Sequence, residues 1–252
     1  MMAHSWKHAL VTGGSSGIGR AIALALAGEG MAVTICGRRR EELQQVAAEH
    51  PSVHAQVADI TDEQSVAELY SMAESARGPF DVVVANAGIV ATAPAHKVKL
   101  EDWKRIIDVN LTGSFLTVQP ALEGMIARRA GRIVFIASIV GLRGAAYVAP
   151  YVASKHGVVG LMKALATELV TTGVTVNAIC PAYVETEMLE RGVRRVMEKT
   201  GRSEDEARRS FTESNPNKRL IKPEEVAATA QWLISDAAIS VTGQAIAIAG
   251  GE

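Results

Sequence analysis

Seven short apolar runs recur along the chain, and each consecutive pair is separated by a segment long enough for a helix: "HALVTG", "MAVTICG", "VHAQVAD", "DVVVANAG", "RIVFIAS", "VTVNAICP" and "QAIAIAGG". They are rich in Val, Ile and Ala, and most are apolar continuously rather than alternately. That is the pattern of strands covered on both faces, as in a parallel sheet. The intervening segments are amphipathic. "GIGRAIALALAGEG" places Ile18, Ile22, Ala25 and Leu26 on one side. "TDEQSVAELYSMAESAR" opens with Thr61 and carries Gln64 three positions on, a capping-box pattern. Pro120 predicts a kink in the long segment "KLEDWKRIIDVNLTGSFLTVQPALEGMIARR". Pro223 stands near the start of "KPEEVAATAQWLISD", where proline is tolerated.

Strand–helix alternation of this kind predicts an α/β fold: one doubly wound parallel sheet of about seven strands, Rossmann-type. No linker, repeat or low-complexity stretch divides it, so residues 1–252 read as a single domain. Residues 186–217 break the rhythm with a polar, charged, helix-prone insertion after the sixth strand. It falls at the carboxyl edge of the sheet, where open α/β sheets bind ligands, and is expected to be a substrate lid.

With 48% hydrophobic and 21% charged residues the chain reads as globular and soluble. Its net charge of −1 gives no field drawing it to nucleic acid or to an anionic membrane. Cys36 and Cys180 both lie in apolar runs and read as buried thiols of a reducing compartment. No apolar stretch is long enough for a signal peptide or a membrane span, so a cytoplasmic protein is expected. His4 and His8 have helical spacing but lack Cys or carboxylate partners, and no metal site is expected.

"LVTGGSSGIGRAIA" joins the first strand to the first helix, with Gly13, Gly17 and Gly19 spaced G-x-x-x-G-x-G. Glycines here give the turn its geometry and let a phosphate approach the backbone. The helix N-terminus then offers free N–H groups to a pyrophosphate. The end of the second strand reads "ICGRRREE". No carboxylate stands there for a ribose hydroxyl, and Arg38 supplies a planar cation suited to a 2′-phosphate. NADP is favoured over NAD on that ground.

"YVASKHGVVG" puts Tyr151 and Lys155 on neighbouring turns of one helix, and Ser138 ends the fifth strand 13 residues earlier. Alone, each has an ordinary reading, as a surface pair and a turn former. Together they suit ketone reduction. A tyrosine hydroxyl can supply the proton, a nearby ammonium can lower its pKa, and a serine can hydrogen-bond the substrate oxygen.

On "TGGSSGIG", "ANAG", "DVN", the serine of "IASIVG", "YVASK" and "CPAYVET", the chain resembles the short-chain dehydrogenase/reductase family over essentially its whole length. The resemblance implies Tyr151 as general acid/base and Ser138 as substrate polariser. It implies Lys155 as pKa modulator and ribose ligand, and Asn110 as the residue that steadies a water in a proton relay to Lys155. Ser15, Ser16 and Ile18 would bind cofactor with the loop glycines. Asp59 and Ile60 would contact adenine, with Asn86, Ala87 and Gly88 turning beneath the adenine ribose. Pro181, Val184 and Thr186 would lie on the nicotinamide side.

Two positions depart from the family pattern: Ala85 replaces the first Asn of "NNAG", and Ala182 replaces the glycine of "PG". The likeness is to bacterial 3-oxoacyl and polyketide ketoreductases. It implies a small keto or hydroxy substrate and assembly into a homo-oligomer, a dimer or tetramer. Arg128 and Arg129 could greet a carrier protein at the active-site mouth, but Thr172 stands where a second basic residue is usual. Tyr147 and Tyr183 could line the pocket. NAD-dependent oxidation of a 3-hydroxy acid or other secondary alcohol, and a non-catalytic dinucleotide sensor, remain the alternatives.

Overall fold

The computed structural model describes residues 5–251. Its strands are β1 (His8–Thr12), β2 (Ala32–Gly37), β3 (Val53–Val57), β4 (Val82–Ala85), β5 (Gly131–Ile136), β6 (Val174–Pro181) and β7 (Ala245–Ile248). They form one sheet in the order β3-β2-β1-β4-β5-β6-β7, and every pairing is parallel. Each of the seven apolar runs carries one strand. β1, β4, β5 and β6 are buried along their whole length, which is why their sequences are mostly apolar, with His8, Thr12, Arg132, Thr175 and Asn177 as the buried polar exceptions. In the edge strand β3 only Val53 is buried, and polar His54 and Gln56 are accommodated there.

The helices are α1 (Gly17–Gly28), α2 (Arg40–Glu49), α3 (Glu63–Arg77), α4 (Leu100–Ile107), α5 (Gly113–Arg128), α6 (Ala149–Glu168), α7 (Glu187–Thr200), α8 (Glu204–Ser214) and α9 (Pro223–Ile234). One face of the sheet packs on α1, α2 and α9 through Leu26, Leu43 and Leu233. The other packs on α3, α5 and α6 through Leu69, Met125 and Met162. The expected insertion after β6 is the helix pair α7 and α8, which share a small apolar cluster of Leu189, Val193, Ala207 and Leu220.

Three local expectations are corrected. Asp62, not Thr61, caps α3: its carboxylate accepts from Gln64 N at 3.0 Å and Ser65 N at 3.5 Å. Thr61 instead turns its hydroxyl to Asp59 Oδ1 at 2.7 Å. In the long helical segment, the ladder is broken by a π-turn at Asp108–Thr112, upstream of Pro120, which lies inside α5. Arg128 and Arg129 end α5 just before β5 begins, so within one chain they stand at the amino edge of the sheet, opposite the carboxyl edge that Ser138 follows. Arg128 is engaged there with Phe80 O at 3.0 Å and Arg129 with Thr171 O at 2.9 Å.

His8 lies in β1, so helical spacing does not relate it to His4, which falls outside the described residues. It is fully buried, with Nδ1 2.7 Å from Gly78 O and Nε2 2.9 Å from Thr34 Oγ1. A carbonyl can only accept, so Nδ1 carries the proton and the neutral ring accepts from Thr34. Burial pushes the imidazole down to about 4. Between pH 6.5 and that value the unfolded chain binds a proton that the folded chain refuses, so stability falls as pH falls. A loss of about 2 kcal/mol between pH 7 and pH 5 is expected in urea unfolding. His8→Asn should flatten that dependence, and an equally steep slope in the variant would assign the loss to other groups.

Candidate active site

The strand order reverses direction between β1 and β4, and a cleft of ≈ 1120 Å³ opens at the carboxyl ends there. Of the residues singled out in the sequence as catalytic or cofactor-binding, all but Asn110 line it. Tyr147 and Tyr183 line it as well.

The glycine loop forms one wall. Gly13 has φ +65°, and a Cβ there would stand 2.9 Å from Ala87 Cα. A Cβ on Gly19 would meet Asn86 Nδ2 at 2.5 Å, so only glycine lets α1 start this close to the β4 turn. That turn is stitched to the loop by Thr12. Its hydroxyl accepts from Asn86 N at 3.0 Å and Ala87 N at 3.1 Å, while Asn86 Nδ2 donates to Thr12 O at 2.8 Å. Ser16 caps α1 with its backbone extended and makes no side-chain cap bond, which leaves the first-turn N–H groups for an anion. Thr186 begins α7 beside this loop, with Cγ2 placed 3.0 Å from where a Gly17 Cβ would be.

Two arginines sit at the end of β2. Arg38 Nη1 is 3.8 Å from Asp59 Oδ2, a loose and exposed pair. Arg39, which the sequence reading passed over, is more firmly placed: Nη2 donates to Ser15 Oγ at 2.9 Å and Ser16 Oγ at 3.0 Å. This cradle of glycine backbone, free helix N–H groups and two guanidinium groups fits the phosphate groups of a nicotinamide dinucleotide. Ile60, next to Asp59, is buried against the position of Gly113.

Deeper in the cleft, Ser138 follows β5 and Tyr151 and Lys155 come from the first turns of α6. Ser138 Oγ reaches Pro181 O at 3.4 Å and accepts from Val140 N at 3.3 Å. Desolvation pushes the Tyr151 phenol up to about 12, and a hydrogen bond with Ser138 works against that rise. Lys155 is buried, its Nζ donates to Ile136 O at 2.7 Å, and it lies 5.7 Å from the Tyr151 ring centre. Burial pushes its ammonium down to about 8. In the protein alone burial outweighs the expected lowering of the tyrosine, and the phenol stays above its ordinary value. Lys155 is turned to the β5 carbonyl, and the main pull on Tyr151 comes from Ser138.

Asn110 lies behind the cleft wall, fully buried in the π-turn. Its Oδ1 accepts from Ile89 N at 2.8 Å, and its Nδ2 donates to Ile89 O at 2.9 Å and Ser154 Oγ at 3.0 Å. Ser154 Oγ in turn donates to Tyr151 O at 2.8 Å. The side chain therefore clamps the strand leaving β4 to the turn that carries Tyr151. A Cβ added at Gly88 would come 3.3 Å from Asn110 Oδ1 and 3.5 Å from Lys155 Nζ, so this glycine keeps the two groups adjacent.

A sequence profile described as short chain dehydrogenase matches residues 7–195. The chain is a short-chain dehydrogenase. It is 41% identical over 255 residues to a Streptomyces violaceoruber protein named as a ketoacyl reductase of granaticin polyketide synthase, spanning 96% of this chain and 92% of that one. It is 40% identical over 244 residues to acetoacetyl-CoA reductase of Rhizobium meliloti, covering 97% of each. Among solved structures, actinorhodin polyketide ketoreductase with NADPH superposes with a TM-score of 0.94 at 38% identity, over 100% of this chain and 98% of that one.

This short-chain dehydrogenase is thus an oxidoreductase by family, and its two departures from the family pattern are absorbed locally. Ala182 is not among the residues with positive φ, so the lost glycine leaves no strain, and its N–H bonds Ile248 O at 3.0 Å. Ala85 is buried at the end of β4 opposite Phe135. No group of three or more metal-ligating side chains occurs among the described residues, and no helix there is long and apolar enough to cross a membrane. Cys36 and Cys180 are both buried free thiols.

Arg39, Thr12 and Ser154 are the positions the sequence reading missed. Thr12 and Ser154 each had a signal: a polar side chain at a strand end or on a buried helix face, where only a specific hydrogen bond justifies it.

Proposed function

We propose that this dehydrogenase reduces the ketone of a 3-oxoacyl thioester or related keto compound to a secondary alcohol with NADPH. The observation that carries the reading is the convergence of Ser138, Tyr151 and Lys155 at one end of a cleft whose other end is the glycine loop and its two arginines. When bound, the nicotinamide supplies the hydride that reaches the carbonyl carbon. The Ser138 hydroxyl donates to the substrate oxygen and stabilises the negative charge that develops on it. Tyr151 Oη transfers its proton to that oxygen, completing the alcohol, and the phenolate left behind is neutralised by the Lys155 ammonium. Asn110 holds the β4 exit and the Tyr151 turn in register through Ile89 and Ser154. The helices α7 and α8 act as the lid: Arg195 and Phe211 line the cleft from them, and Tyr183 meets Phe211 edge-on at 5.2 Å. Exposed Leu100, Trp103, Phe115 and Ile126 on α4 and α5 support the expected homo-oligomer.

Relatives named as ketoacyl and acetoacetyl-CoA reductases support the substrate class, and the neighbour solved with NADPH supports the cofactor. The test is NADPH oxidation with acetoacetyl-CoA by the purified protein, together with fluorescence titration of the double variant Arg38→Ala, Arg39→Ala. Loss of two charge-assisted contacts to a phosphate should raise the Kd for NADPH about 10- to 100-fold and leave that for NADH within about twofold. Equal weakening of both cofactors would remove the 2′-phosphate assignment, and no ketone turnover would remove the reductase assignment.

A further inference from the structure

The guanidinium of Arg39 is held from two sides of the cleft. On the floor its Nη2 donates to Ser15 and Ser16. From above, Nη1 donates at 3.2 Å to Oε2 of Glu187, the first residue of α7. That same Glu187 oxygen lies 3.7 Å from Nη1 of Arg191, one turn further along the helix. Glu187 and Arg191 both line the cleft. Glu42 also approaches Arg39, at 3.5 Å, but does not line the cleft and belongs to α2 on the floor side.

An exposed ion pair of this kind is weak and is easily exchanged. A phosphate resting on Ser15, Ser16 and Arg39 would share one guanidinium with a carboxylate, and two anions so close repel. Glu187 has somewhere to go, because Arg191 is already within reach on its own helix. We infer that Glu187 competes with the cofactor's 2′-phosphate for Arg39 and so tempers the affinity for the phosphorylated dinucleotide. It occupies Arg39 until a 2′-phosphate arrives, then passes to Arg191, so that only the phosphorylated dinucleotide releases the first turn of α7 from the floor. This rests on the proposed reading that Arg38 and Arg39 take the 2′-phosphate.

The experiment is a fluorescence titration of wild type, Glu187→Gln, Arg191→Gln and the double variant with NADPH and with NADH. Glu187→Gln removes the competing charge, so the Kd for NADPH should fall about threefold to fivefold while that for NADH stays within about twofold. Arg191→Gln removes the alternative partner and should raise the NADPH Kd by a similar factor. The double variant should return to the Glu187→Gln value, because without the carboxylate there is nothing to hand over. An NADPH Kd that is unchanged or higher in Glu187→Gln overturns the proposal. So does a double variant as weak as Arg191→Gln alone, which would mean that Arg191 contacts the phosphate itself. A wild type that binds NADH as tightly as NADPH is a different failure: it removes the 2′-phosphate reading and this inference with it.

Discussion

Tyr151→Phe is expected to lower ketone turnover by about 10³-fold while leaving the Kd for NADPH within about twofold. The phenylalanine keeps the ring in its place in the cleft wall and deletes only the hydroxyl. That hydroxyl is the group whose proton completes the alcohol. Because desolvation pushes the phenol up to about 12, the proton is held on Tyr151 throughout the neutral range, which is the form that reduction requires. Ser138 cannot substitute as the proton source, because an alcohol gives up a proton far less readily than a phenol. Steady-state assays and a parallel cofactor titration separate the two effects. Undiminished turnover in the variant would mean that the proton comes from elsewhere, and a large loss of cofactor affinity would mean that the ring positions the dinucleotide.

Lys155→Met should move stability and activity in opposite directions. The ammonium is 4% exposed and has one hydrogen bond in the protein, to Ile136 O, with no carboxylate against it. Burial pushes it down to about 8 from its ordinary 10.5. Below pH 8 it is charged in both the folded and the unfolded chain, and the folded chain bears a penalty of about 3 kcal/mol. Between pH 8 and 10.5 the folded chain loses its proton first, and stability rises. A methionine fills similar space without the charge, so at pH 7 the variant should be more stable by about 2 kcal/mol in urea unfolding. It should also lose the pH-dependent rise. Turnover should fall about 100-fold or more, because the phenolate left after proton transfer has no cation to neutralise it. A variant that is both less stable and fully active would make this lysine a packing residue.

The sheet was legible because a strand covered on both faces favours an apolar run, and each of the seven runs carries a strand. The glycine loop was legible because its backbone needs restrict residue type at Gly13 and Gly19. Arg38 and Arg39 illustrate the limit. They are adjacent in sequence, and which one reaches the loop serines depends on how the backbone leaves β2, which the letters do not encode. Arg128 and Arg129 illustrate a signal left unused: residues that precede a strand lie at its amino edge, away from the site. Thr61 and Asp62 are both good caps, and which of them serves was settled only by which side chain met the α3 amides. The direct effect of Lys155 on Tyr151 was a statement about distance and orientation, and the lysine's choice of the Ile136 carbonyl is a tertiary fact.

The π-turn at Asp108–Thr112 has a consequence for how such a chain can change by insertion and deletion. A π-turn is an α-helix with one residue too many in a single turn. Removing one residue from Asp108–Thr112 would let α4 and α5 join as an ordinary helix, with α4 still packed on α6 and α5 still packed on the sheet. The same deletion would swing Asn110 away from Ile89 and Ser154. One codon therefore separates a helix that only packs from one that also steadies the tyrosine turn, and a descendant could shed the chemistry at this spot while its architecture survived intact.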